Sequence, residues 1–166
     1  YGAALGNFDY VEENFIGERL FDASGDSYRL MVGYMFNEHM AFEGGYGKAR
    51  SLTDSSDFES FGTPYTVNFR SEFKILTVRF LGVLPFDNGI TLLGGIGYAD
   101  MDQKASYDLV GLGVQTLETD DGVPTYFAGV QYDWDSFAVR IAYEKYGDYD
   151  DVIGIKETSI SFFYKL

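Results

Sequence analysis

Three sets of residues carry side chains that could do chemistry. The first is a lone histidine, His39, in the polar break Asn37-Glu38-His39. A hydrolase would need it beside a nucleophile and an orienting acid; no convincing pair emerges, so no catalytic residue is expected. The second is a series of acidic clusters: Asp54 and Asp57; Glu118, Asp120 and Asp121; Asp148, Asp150 and Asp151. Carboxylates so spaced can bind Ca²⁺, but none completes a calcium-loop pattern. Solvated charge is the expectation, with Asp148, Asp150 and Asp151 as candidate ligands and no resident metal or cofactor. The third set is a series of single polar residues interleaved with Gly, Ala and Ser: Arg29, Glu43, Arg79, Gln131, Arg140 and Glu144. Enclosed in a narrow space, such charges must pair, because an unpartnered buried charge costs several kcal/mol. Glu43 with Arg140 is the natural pair, leaving Arg29 and Arg79 to Glu144, Gln131 or water.

The elements that position these residues repeat with period two, the signature of strands. Tyr28, Leu30, Val32, Tyr34 and Phe36 alternate with Ser27, Arg29, Met31, Gly33 and Met35; after the break, Met40, Phe42, Gly44 and Tyr46 alternate with Ala41, Glu43, Gly45 and Gly47. Two strands joined by about three turn residues make a hairpin. The unit recurs around Pro85-Phe86-Asp87-Asn88-Gly89, with its Asn-Gly turn signal, and around Asp133-Trp134-Asp135-Ser136. One more strand at each end brings the count to eight. Longer polar, acidic stretches at 12–26, 48–70, 101–124 and 147–157 separate the tight turns. Short and long connections alternate, placing short turns at one end of the strands and long loops at the other. Such a meander closes into an all-β, eight-stranded antiparallel up-and-down barrel, a single domain over residues 1–166.

Composition decides which face meets what. Among 166 residues the net charge is −14, Cys is absent and aromatics make up 18%. No run approaches the ~18 consecutive apolar residues of a membrane-spanning helix, the charge opposes nucleic-acid binding, and disulfide scaffolds are excluded. The rows of Phe, Tyr, Leu, Ile and Val would overfill an eight-stranded lumen, whereas the small and charged set would fit. The apolar face is therefore expected to point outward into lipid, making the barrel transmembrane. Interfacial girdles suit aromatics, and the rows end in them: Tyr28, Tyr46, Tyr98, Tyr126 and Tyr143 near the loops; Phe36, Phe86, Tyr132, Trp134 and Tyr164 near the turns.

Six segments taken in order carry a resemblance: Tyr1-Gly2-Ala3-Ala4-Leu5-Gly6, Met40-Ala41-Phe42-Glu43-Gly44-Gly45-Tyr46, Leu76-Thr77-Val78-Arg79, Phe127-Ala128-Gly129-Val130-Gln131-Tyr132, Val139-Arg140-Ile141-Ala142-Tyr143-Glu144, and Ser159-Ile160-Ser161-Phe162-Phe163-Tyr164-Lys165-Leu166. Together they resemble the transmembrane domain of the outer-membrane protein A family. That resemblance implies a bacterial outer-membrane location among lipid and lipopolysaccharide, insertion by the barrel assembly machinery, periplasmic turns and extracellular loops. It further implies a lumen plugged by a charged network in which Glu43, Arg79 and Arg140 take part, with Gln131 where the family has an acid. Leu166 stands where an aromatic is usual, and no peptidoglycan-binding domain is expected. The expected function is a structural or interaction barrel whose loops meet a surface or envelope protein, hydrophobic loop residues such as Phe15, Ile16, Leu20 and Phe21 favouring partner binding. A small passive channel is the alternative, and a lipid-modifying enzyme a remoter one.

Overall fold

The computed structural model describes residues 2–13, 19–60, 63–109, 113–149 and 153–165. Eight strands follow one another: β1 Gly2–Glu13, β2 Arg19–Asn37, β3 Met40–Ser60, β4 Thr63–Pro85, β5 Ile90–Leu109, β6 Gly113–Trp134, β7 Phe137–Tyr149 and β8 Ile153–Tyr164. Each pairs antiparallel with its sequence neighbour, and β1 closes on β8 from Gly2↔Phe163 to Glu12↔Ile153, completing a closed barrel. Along the length over which all eight strands pair, closure satisfies the strand edges internally, which a chain in lipid requires.

The tight turns follow from their residues. Asn37 Oδ1 accepts from His39 N at 2.8 Å between β2 and β3, and Asn88 Oδ1 accepts from Ile90 N at 3.1 Å before β5. Asp135 turns the chain between β6 and β7 at φ 42°, in the left-handed region that Asp tolerates better than most residues. Gly89 has φ +80°, and a Cβ there would lie 2.9 Å from the Asp133 carbonyl oxygen. Gly89→Ala is therefore expected to cost about 1–2 kcal/mol, read as a lowered urea midpoint for the refolded barrel.

Within the described residues the long polar stretches are strand rather than loop. Pairing of β3 with β4 continues to Ser60↔Thr63, and of β5 with β6 to Leu109↔Gly113. The β2–β3 ladder stops at Ser27↔Ala49, and the β6–β7 ladder begins only at Thr125↔Tyr146. The upper parts of β3, β4, β5 and β6 thus continue past the closed barrel as an open four-stranded sheet. Among the described residues its two edges are β3 beyond Leu52 and β6 before Pro124. These segments read as loops because they lack the lipid-facing apolar row, although their backbone pairing needs no such row. Phe15 and Ile16 lie outside the described residues, as do the side chains of Leu20 and Phe21.

Side chains alternate across the wall. Leu30, Tyr34 and Ile96 are about two-thirds exposed, and Leu76, Val78, Phe80, Val130, Ile141 and Phe162 join them on the outer face. The inner face departs from the small and charged set expected of it. Phe8, Ala23, Ala49, Leu52, Val67, Phe69, Phe73, Ile75, Ala99, Met101, Ala105, Val123, Tyr146 and Ile155 form one buried apolar cluster. Most of them come from the polar stretches, where bulky residues sit at inward positions between outward charges.

Candidate functional site

The chemically active side chains meet inside the barrel. Arg29 projects from β2, Glu43 from β3, Arg79 from β4, Arg140 and Glu144 from β7; each is at most 5% exposed. Small residues opposite make the room: at Gly45 an added Cβ would lie 2.9 Å from Arg29 Cδ and 3.0 Å from Thr77 Oγ1.

Arg79 bridges two carboxylates. Its Nε donates to Glu43 Oε1 at 2.9 Å, and its Nη1 to Glu144 Oε2 at 3.0 Å. Arg140 Nη1 donates to Glu43 Oε2 at 2.7 Å, so Glu43 holds one arginine on each oxygen. Arg29 Nη1 donates to Glu144 Oε2 at 2.6 Å, while its Nη2 donates to Glu157 and to the Tyr146 hydroxyl. Tyr146 donates to Glu157 Oε2 at 2.9 Å, and Ser27 Oγ to Glu157 Oε1 at 2.6 Å. Three arginines face three glutamates, so the network is neutral. The Phe127 ring lies 4.4 Å from the Arg79 guanidinium carbon and Phe163 4.2 Å from that of Arg140, adding cation–π attraction in a desolvated setting.

Gln131 stands apart from Arg79. Its Oε1 accepts from Arg140 Nε at 3.1 Å, and its Nε2 donates to both oxygens of Asp133 at 2.9 and 3.1 Å. Asp133 also accepts from Thr91 Oγ1 and Lys165 Nζ, each at 3.0 Å, carrying the polar chain to the exposed turn end. Glu157, Tyr146 and Ser27 are network members that sequence reasoning missed. Extending the alternation of β8 back from Ser161 and Ser159 reaches Glu157, and extending that of β7 from Arg140 and Glu144 reaches Tyr146.

The apolar cluster lies to the long-hairpin side of this network on every strand that carries both. Ala23 precedes Ser27 and Arg29 on β2, Ala49 and Leu52 follow Glu43 on β3, Phe73 and Ile75 precede Arg79 on β4, and Tyr146 follows Glu144 on β7. Phe8 stacks tilted against Phe73 at 5.3 Å and against Tyr146 at 5.8 Å. One end of the charged region is thus covered by packed rings; toward the turns a smaller buried apolar cluster of Ala41, Leu81, Leu93, Phe127 and Ala142 lies beside the polar chain through Gln131 and Asp133.

The remaining candidates are dispersed. His39 is exposed in the β2–β3 turn, its Nδ1 3.3 Å from the Val83 carbonyl oxygen and its Nε2 3.5 Å from Glu38. Tyr28, Tyr46, Tyr98, Tyr126 and Tyr143 are exposed on the outer face toward the long hairpins, and Phe36, Phe86, Tyr132, Trp134 and Tyr164 toward the turns. Asp150 and Asp151 lie outside the described residues, as do the side chains of Asp57 and Asp148. Among the described residues no group of three or more His, Asp or Glu could hold a metal ion. Glu118 on the projecting sheet accepts from Lys104 at 2.9 Å. That hydrogen bond lowers the Glu118 carboxyl and raises the Lys104 ammonium relative to their ordinary values. The bridge contributes above the unfolded carboxylate pKa and fades as acid protonates Glu118. At the alkaline end it fades as pH passes the raised Lys104 value. Full exposure and salt screening keep it weak.

A closed antiparallel barrel with an apolar outside and a charged inside is an integral membrane protein turned inside out relative to a soluble one. Residues 2–165 match the model of the outer membrane protein beta-barrel domain, and the chain belongs to that family. Among solved structures, Ail, the attachment invasion locus protein of Yersinia pestis, is similar with a TM-score of 0.59 and 18% identity over 98% of this chain and 95% of that one. Ail in complex with the heparin analogue sucrose octasulfate gives a TM-score of 0.60 and 18% identity over the same shares. Neisserial surface protein A gives 0.64 and 15% identity over 99% of this chain and 96% of that one. No sequence among curated proteins matches. The structural likenesses establish the fold, and the family match a bacterial outer-membrane setting.

Proposed function

We propose that this protein is a non-catalytic interaction barrel. In this reading it is anchored by its lower half, with the lumen plugged, and it offers the projecting sheet to a surface or envelope partner. The observation that carries the reading is the open four-stranded sheet, because unpaired strand edges are templates for another extended chain. On the β6 edge Val114 is 62% and Leu117 57% exposed, and Glu118, Asp120 and Asp121 follow. A partner strand would pair with the β6 backbone and complement that charge with its own bases.

The plug is supported by the neutral network and by the rings that cover it, which favour a closed lumen over a small channel. The two outer aromatic bands support a membrane position between them, with the long hairpins extracellular and the turns periplasmic. Insertion by the barrel assembly machinery belongs to the same reading. The sulfated ligand of the Ail complex does not transfer on charge, since this chain carries −14.

Lysines on an edge strand discourage pairing, so Val114→Lys with Leu117→Lys tests the interaction. Cells displaying the unaltered protein should adhere to an epithelial monolayer several-fold better than cells without it, and the double variant should lose that gain. Equal adherence by both, at equal surface amounts, would contradict the reading.

A further inference from the structure

The outer face of the projecting sheet changes character along its length. Just beyond the lipid-facing rows it is charged; there Lys104 Nζ donates to Glu118 Oε1 at 2.9 Å. Further out, register sets two rows side by side. Thr53, Arg70, Ser106 and Thr116 form the first, across β3, β4, β5 and β6. Ser55, Asn68, Asp108 and Val114 form the second. At about 3.3 Å per residue, Arg70 and Asn68 lie about 20 and 26 Å along β4 from Leu76 on the lipid-facing row. The β3, β4 and β5 members of both rows, with Asp54 and Phe69, line an open concavity of about 540 Å³.

The side chains here have hydrogen-bonding capacity to spare. Thr53, Ser55, Asn68 and Asp108 are exposed, and their side chains make no hydrogen bond or ion pair among the described residues. Ser106 Oγ lies 3.4 Å from Thr116 Oγ1. Arg70 gives one Nη2 bond to Glu72 at 3.0 Å, which offsets its charge and leaves other N–H groups to donate. Hydroxyls and the Asn68 amide both donate and accept, whereas Asp108 only accepts. Val114, 62% exposed and opposite Asp108, adds an apolar margin.

This mixture discriminates between ligand classes. A phosphate or sulfate would meet Asp108 and Asp54 in a chain of net charge −14. A metal ion would find no group of three ligands among the described residues. An apolar ligand would strip water from hydroxyls and an amide without pairing them. A ring bearing several hydroxyls, each donor and acceptor at once, pairs with the whole set, while its C–H face lies against Val114.

We propose that these two rows form a binding site for an uncharged hexose oligosaccharide on an apposed cell surface. Asp108 accepts from neighbouring sugar hydroxyls, Asn68 donates to one oxygen and accepts from another, and Arg70 donates from the adjacent row. The site depends on the extracellular position of the long hairpins proposed above. It uses side chains on the outer face, whereas strand addition at the β6 edge uses backbone groups.

Saturation-transfer NMR of the detergent-refolded protein with lactose, N-acetyllactosamine, maltose and cellobiose tests the proposal, with sulfated lactose as the anionic counterpart. At least one uncharged sugar should bind with a Kd of about 1 mM, as a few solvent-exposed hydrogen bonds allow. Asn68→Ala and Asp108→Asn should each weaken that binding about tenfold, and Lys104→Gln should leave it unchanged. No transfer to any of the four uncharged sugars would overturn the proposal, as would undiminished binding by both the Asn68 and Asp108 variants. Preference for sulfated lactose would overturn the assignment to an uncharged ligand. A heat-shift gel on the same samples reports the barrel itself. The titration needs neither cells nor a partner strand, so its failure is distinct from failure of the strand-pairing reading.

Discussion

Replacing Glu144 with Ala should destabilise the barrel by about 3–5 kcal/mol, the usual cost of removing one partner from a buried ion network. One oxygen, Oε2, accepts from Arg29 at 2.6 Å and from Arg79 at 3.0 Å. Without it, Arg29 retains Glu157 and Arg79 retains Glu43, so three arginines face two glutamates in a space with almost no water access. The excess positive charge, rather than the lost contacts, is the larger part of the cost. This distinguishes the variant from a neutral redesign: Glu144→Ala combined with Arg79→Met restores charge balance and should lose less than the sum of the two single changes. Urea unfolding in lipid vesicles, followed by the fluorescence of Trp134, the sole tryptophan, measures both. Additive losses would show that the two groups do not share a network.

The second large effect lies above the network. Phe73→Ala should also cost about 3–5 kcal/mol, the range for a fully buried aromatic whose surroundings cannot collapse. Phe73 is 1% exposed, packs on Phe8 and sits two residues from Ile75 on the same inward face. Strands of a closed barrel are tied on both sides and cannot close around the vacancy. Phe73→Leu, which keeps much of the volume, should lose under half as much on the same assay. A loss for Phe73→Ala no larger than for an outward substitution such as Leu76→Ala would mean that the cluster is not packed as described.

The eight strands, their order and the outward direction of the apolar rows were legible because alternation repeats in every membrane-spanning segment and the Asn-Gly and Asp-rich turns punctuate it. The sheet that projects beyond the barrel was not. In 48–70 and 101–124 the outward positions are charged or hydroxylated, so the contrast between faces that marks a strand is inverted or lost. Yet Leu52, Val67, Phe69, Met101 and Val123 hold inward parity in those stretches, and that half of the pattern was present. The same inversion hid Glu157, which reads as the last residue of an acidic loop until the alternation of Ser159 and Ser161 is carried back. Long-range pairings such as Arg29 with Glu157 or Arg79 with Glu144 depend on which strands face each other across the lumen. Local spacing carries no such information; the pairings emerge only from register and closure.

The closed lumen is the claim on which the interaction reading depends most, and planar-bilayer recording of the folded wild-type barrel tests it most directly. Five contacts among three arginines and three glutamates lie beneath a layer of packed rings, so a flat baseline is expected under applied voltage. Arg140→Ala, which leaves Glu43 with Arg79 alone and removes the link to Gln131, should produce openings. Discrete conductance steps from the wild type would contradict the account and return the small channel as its function.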